Sequence, residues 1–158
     1  MTKWLLITTI FALALVAPGK PAHDETIAEM KKLRGTWRLV DEIDDGKRTP
    51  AGEAKNTKLT FEIALASSSF RPLEWKVEVD GKVVGEGTAA INPTSNPKTI
   101  DYLFTHGEET GNSFHAIYEL DGDSFRHCGV LKGSRPSEFS SKPGSGQILT
   151  TFRREKRD

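Results

Sequence analysis

Between Thr36 and Arg154 the chain is cut repeatedly into short runs rich in Val, Ile, Thr, Tyr, Phe and Trp, separated by Gly, Pro, Asn and Asp. No other feature restricts the fold as much. Runs of this length and composition read as strands, and the small residues between them as turns. Eight strands are predicted, over 36–43, 57–64, 73–80, 83–91, 99–105, 113–121, 124–131 and 147–154. The links include "DDGKRTPAGEAKN", two "DG" pairs at 80–81 and 121–122, "NPTSNPK", "HGEETGN" and "KGSRPSEFSSKPGSGQ". No link carries a helical pattern long enough to be the crossover that parallel neighbours need, so the sheet must be antiparallel. One domain of eight sequential antiparallel strands reads as an up-and-down barrel or a sandwich.

The densest group of chemically active side chains, "FHAIYELDGDSFRHCG" (114–129), is accounted for by this scheme. With Gly122-Asp123 as a tight turn, Leu120 faces Phe125 and Tyr118 faces His127 on one side of the ribbon. On the other side Glu119 faces Arg126, a cross-strand pair of opposite charge, and Ile117 faces Cys128. A shift of one residue would set Glu119 against Phe125. Neighbours on a strand point to opposite faces, so His127 and Cys128 cannot share a metal. His106 and His115 stand at no spacing that brings them to His127 predictably. No metal site is expected, and Tyr118 with His127 is predicted to form a hydrogen-bonded pair inside the fold.

The first residues are unlike the rest. "MTKWLLITTIFALALVAPGKPA" has one Lys, an apolar run from Trp4 to Ala17, then Pro, Gly and Ala. The run is shorter than the roughly 20 residues of a membrane-spanning helix and matches an export signal. Residues 1–19 are therefore predicted as a signal peptide cleaved after Gly19, with an uncleaved N-terminal anchor as the alternative. The mature chain is expected to be periplasmic or extracellular. Residues 20–35 are predicted as a short helix and lead-in, capped by Asp24, with Ile27, Met30 and Leu33 on one face and Gly35 as its stop. This helix can cover something but cannot form a core. Residues 36–158 are then the barrel domain. With Cys128 as its one cysteine, it has no internal disulfide and must stand on its core.

Charge excludes some partners. Basic and acidic side chains balance at 22 each, which leaves no electrostatic footprint for nucleic acid and no polybasic patch for a membrane once the signal is gone. The tail "RREKR" reads as a solvated end. Nothing marks an enzyme: "GSG" at 144–146 lacks the frame of a nucleophile elbow, and no phosphate-binding loop is present. Asp44-Asp45 and Glu108-Glu109 lie in turns where carboxylates stay solvated. Asp101, inside an apolar strand, is predicted as a partly buried structural acid. No cofactor is expected.

Gly35-Thr36-Trp37 at the head of the first strand and "FRR" at the end of the last resemble the lipocalin pattern, in which a tryptophan closes the barrel base beneath an arginine. The resemblance assigns Gly35 and Trp37 to this closure with Arg153 as the cation, Arg154 facing the other way. The blocks "LRGTWRLV", "NPKTIDYLF", "AIYELDGDSFRHC", "GSRPSEFSSKPGSG" and "LTTFRR" cover almost the whole mature chain. In order and spacing they resemble an exported lipocalin-like domain family abundant in planctomycete bacteria, with no assigned biochemical activity. The resemblance implies an eight-stranded lipocalin-like β-barrel outside the cytoplasm and transfers no catalytic residues. Phe125 stands where that pattern more usually has leucine, and His127 where it has an aliphatic residue, which implies either a more polar interior or repacking.

On this scheme the residues expected to face inward are Trp37, Leu39, Phe61, Trp75, Val77, Tyr118, Leu120, Phe125 and His127. Mostly apolar with a few polar tips, they would suit one small hydrophobic or amphipathic molecule. The alternative is a filled barrel acting as a structural or protein-interaction module of the cell envelope. Arg135, Pro136 and Phe139 are candidates for a lid over the barrel mouth. The competing reading makes Phe139 an anchor on the barrel wall, with Arg135 bonded to backbone carbonyls.

Overall fold

The computed structural model describes residues 22–54, 56–64 and 72–156. The predicted signal peptide lies outside them. Helix α1 (Ala22–Leu33) leads into β1 (Gly35–Asp44), β2 (Lys47–Arg48), α2 (Ala51–Ala54), β3 (Thr57–Ile63), β4 (Leu73–Val79), β5 (Lys82–Asn92), β6 (Lys98–Gly107), β7 (Ser113–Asp121), β8 (Ser124–Val130) and β9 (Ile148–Arg154). From β3 to β9 each strand pairs antiparallel with the next, β1 pairs with β3, and β9 returns to β1 and closes the ring. The two-residue β2 is a spur on β1. The molecule is thus an eight-stranded antiparallel up-and-down barrel with a short N-terminal helix.

Local chemistry sets the corners. Asp80 and Gly81 both take positive φ, 51° and 75°, which suits the two-residue turn from β4 to β5. Gly122 at φ 55° opens the turn between β7 and β8. The resulting register places Leu120 opposite Phe125, Glu119 opposite Arg126, Tyr118 opposite His127 and Ile117 opposite Cys128, as the alternation of side chains requires. Alternate residues point inward and build a core of Trp37, Leu59, Phe61, Leu73, Ile100, Tyr118 and Phe125, all essentially inaccessible.

Helix α1 covers one end of this core. It starts at Ala22, so Asp24 sits within its first turn and not at its cap. Met30 and Leu33 are buried with the barrel residues, so the helix contributes to the core and does more than cover it. Its last carbonyls, which have no partners within a helix, are bonded by the barrel. Trp37 Nε1 donates to Leu33 O at 2.8 Å, and the Arg154 guanidinium donates to Lys32 O at 2.5 Å and Arg34 O at 2.9 Å. The same guanidinium lies 4.0 Å from the centre of the Trp37 ring. The cation over Trp37 is therefore Arg154, and the assignment to Arg153 is corrected. Phe152 and Thr150 point inward, so strand periodicity sends Arg154 to the inner side and leaves Arg153 exposed opposite Arg38.

The segment 132–147 is a strap on the outer wall, not a lid. Arg135 makes a two-pronged contact with Asp101 at 2.7 and 2.9 Å and donates to Ile100 O and Ala116 O. Asp101 also bonds His115 Nδ1 at 2.5 Å. Phe139 lies under the Arg126 guanidinium, 4.4 Å from ring centre to carbon, on the outward side of β8. Pro136 is buried within the strap's footing. Cys128 Sγ, also outward, donates to Ser140 O at 3.1 Å. Arg135 and Phe139 are held against Asp101 and Arg126 on the outer wall, and none of Arg135, Pro136 and Phe139 borders the barrel interior, so the lid expectation for these three fails.

Candidate functional site

The barrel interior has two halves. The half beside α1 is filled. Phe125 makes ring contacts with Trp37 (5.7 Å between centroids), Phe61 (5.7 Å) and Tyr118 (6.1 Å), and Leu120 packs at its edge. Beneath them Glu29 of α1 is buried with its carboxylate 2.5 Å from Lys98 Nζ and 3.1 Å from Lys32 Nζ, and it accepts a long contact of 3.4 Å from the Tyr118 hydroxyl. Burial alone raises a carboxyl pKa, but the two lysines outweigh it and hold Glu29 below its ordinary value. Burial, with Glu29 nearby, pushes the Tyr118 phenol well up. This end is a structural floor.

The other half holds a pocket of about 200 Å³. Its walls are apolar, with Leu59, Val77, Phe104, Phe114, Ile148 and Phe152 among them, and Leu39 and Trp75 adjoining. Trp75 is fixed by donating Nε1 to Thr88 O at 3.0 Å and by an edge contact with Phe104, centroids 4.7 Å apart. Room for the Phe114 ring comes from Gly129, where a Cβ would stand 2.4 Å from that ring. Three polar groups interrupt the apolar lining: His127, Tyr102 and Thr150. His127 Nδ1 and the Tyr102 hydroxyl are 2.9 Å apart. Burial pulls the His127 pKa down to about 3 and raises that of Tyr102 far above its usual value, so both are neutral at physiological pH. Thr150 Oγ1 is buried and has no hydrogen-bond partner among the described residues. Glu42 and Thr57 lie toward the open end, where Glu42 accepts from Thr49 Oγ1 at 2.6 Å.

Of the inward residues named from the sequence, Leu39, Trp75, Val77 and His127 line this pocket. Trp37, Phe61, Tyr118, Leu120 and Phe125 belong to the filled half. Tyr118 and His127 are cross-strand neighbours, yet they do not bond each other: His127 turns to Tyr102, and Tyr118 to Glu29. The expected hydrogen bond between them is thus corrected, because each found a partner on an element the hairpin alone does not include. Tyr102 and Thr150 went unnamed, although alternation from Ile100 through Tyr102 to Phe104, and back from Phe152 to Thr150, places both on the inner face.

Outside the barrel, a hollow of about 320 Å³ crosses the outer faces of β3, β4 and β5 among Glu62, Glu74, Lys76 and Glu86. Three of its charged groups are engaged at the surface, Glu62 with Arg34, Lys76 with Glu78 and Glu86 with His106. Among the described residues no group of three or more His, Cys, Asp or Glu is placed to hold a metal.

No protein-family model matches this chain, and no curated protein matches it. Among solved structures, a crystal structure of a mutant of the fluorescent protein UnaG aligns with 80% of this chain and 99% of its own, at 13% identity and a TM-score of 0.39. A likeness of that strength says nothing about ligand or mechanism.

Proposed function

We propose that this chain is an exported, non-enzymatic barrel that holds one small, largely apolar molecule in the half of its interior away from α1. We further propose that it belongs with the exported lipocalin-like domains whose sequence blocks it resembles. The observation that carries the binding role is the pocket itself. A barrel that serves only as a scaffold gains stability by filling its interior. The half beside α1 is filled, whereas the other half keeps an apolar space bordered by a neutral histidine, a tyrosine and a threonine whose buried hydroxyl has no partner among the described residues. Apolar walls with a few convergent polar groups are what a small-molecule site requires. Export rests on the amino-terminal segment, a Lys followed by a short apolar run and small residues.

The test is native mass spectrometry of protein purified from its own host. A defined adduct mass, lost on unfolding, is the expected result. If no adduct is found and no small apolar compound raises the Tm, the filled-barrel alternative takes over, a structural or interaction module that the packed half already resembles. Amino-terminal sequencing of the same preparation should begin at Lys20, and a chain beginning at Met1 or Thr2 would overturn cleavage.

A further inference from the structure

The charge and shape of the pocket restrict its occupant further. An apolar cavity of about 150 Å³ is enough to take benzene, so the roughly 200 Å³ here has room inside the barrel for a single ring or a compact fused pair. No lysine or arginine lines it, and the one ionised lining residue, Glu42, carries the wrong sign for an anion. An anion entering would lose its water and find no cation in return. A wholly apolar ring would pack against the walls but leave the buried Thr150 hydroxyl without a partner.

The polar groups stand close together. Thr150 and His127 are directly opposed on β9 and β8, which puts their Cβ atoms about 5 Å apart on the same face. His127 and Tyr102 can share their proton in two ways. If Tyr102 donates to Nδ1, Nε2 carries a proton outward. If Nδ1 donates, the Tyr102 hydroxyl is free to donate and Nε2 to accept. Either way the pair offers one donor and one acceptor beside a hydroxyl that can do both.

Resting on the binding role above, we infer that the occupant is an uncharged, ring-sized aromatic or heteroaromatic compound with one hydroxyl or ring N–H, the chemistry of a phenol or an indole. Its polar edge meets Thr150 and the His127–Tyr102 pair, and its ring lies among Trp75, Phe104 and Phe114.

The probes are phenol, indole, toluene and benzoate, measured at pH 7 by calorimetry on the wild type and on Thr150→Val, Thr150→Ser and Tyr102→Phe. Phenol and indole are expected to bind at least tenfold more tightly than benzoate. T150V should weaken phenol about three- to tenfold while leaving toluene unchanged or tighter. T150S, which keeps the hydroxyl, should retain phenol binding, and Y102F should weaken it without altering the fold by circular dichroism. If T150V does not fold, the T150S and Y102F results decide. Equal affinity for benzoate and phenol, or an unchanged phenol-to-toluene ratio in both T150V and Y102F, overturns this inference and leaves the binding barrel standing. Failure of all four probes, toluene included, overturns this inference, and together with a native mass spectrum that shows no adduct it overturns the binding role as well.

Discussion

Arg154 does three things with one guanidinium: it covers the Trp37 ring, bonds two carbonyls at the end of α1, and pairs with Asp123 at 3.2 Å. A cation over an indole is worth about 0.5–2 kcal/mol, and losing the carbonyl donors adds to it. Arg154→Ala is expected to lower the unfolding free energy by about 1–3 kcal/mol in urea titrations. Arg153→Ala, exposed on the outer face, should change it by less than about 0.5 kcal/mol. Equal effects would refute the assignment. At this scale the sequence was nearly sufficient. Trp37 and an arginine at the end of the last strand were legible as partners, and counting in twos from the apolar Phe152 selects Arg154. Arg153, the first arginine after the apolar run, falls on the outward face of that same alternation.

At the scale of elements, two additions complete the barrel. The strap 132–147 is fixed by Arg135 to Asp101 and roofs the Cys128 thiol, whose pKa burial pushes up. A protonated, covered thiol reacts slowly. Arg135→Ala should loosen the strap and raise the rate of Cys128 modification by an aromatic disulfide reagent at pH 8 by about tenfold or more, with the far-ultraviolet spectrum unchanged. An unaltered rate would mean that Arg135 does not hold the strap. Within the sheet, Gly129 has no room for a side chain against Phe114. Gly129→Ala is expected to cost about 1–3 kcal/mol in the same urea assay, because one of two packed β-strands must shift; a neutral effect would show that the Phe114 ring moves freely. Neither contact could be found by reading along the strand, since strap and glycine meet partners set by the closure of the sheet.

For the molecule as a whole, the closed ring buries ionisable groups and makes stability depend on pH. The unfolded chain protonates His127 near 6.5, whereas the folded chain resists until about 3. Between these values the unfolded state binds more protons, so stability falls as pH falls. Glu29, held below its ordinary value by Lys98 and Lys32, adds a loss in the same direction once the pH drops through 4.5. From pH 6.5 to pH 5 the His127 contribution alone should remove about 2 kcal/mol. Urea titrations at the two pH values would measure it, and His127→Leu should flatten the difference. A wild-type protein as stable at pH 5 as at pH 6.5 would contradict the burial of His127.

Alternation of apolar and polar residues, with turn residues between, determined the eight strands, their boundaries to within about two residues, the β7–β8 register and the inward face, because these depend on the period of a strand and on local turn geometry. Only the tertiary structure decided which inward residues fill the floor and which border a pocket, that His127 bonds Tyr102, that Glu29 reaches under the barrel to Lys98, and that the long loop lies outside. Those outcomes depend on where β9 meets β1 and where α1 comes to rest. Such contacts join residues far apart in the chain, and no local period encodes them.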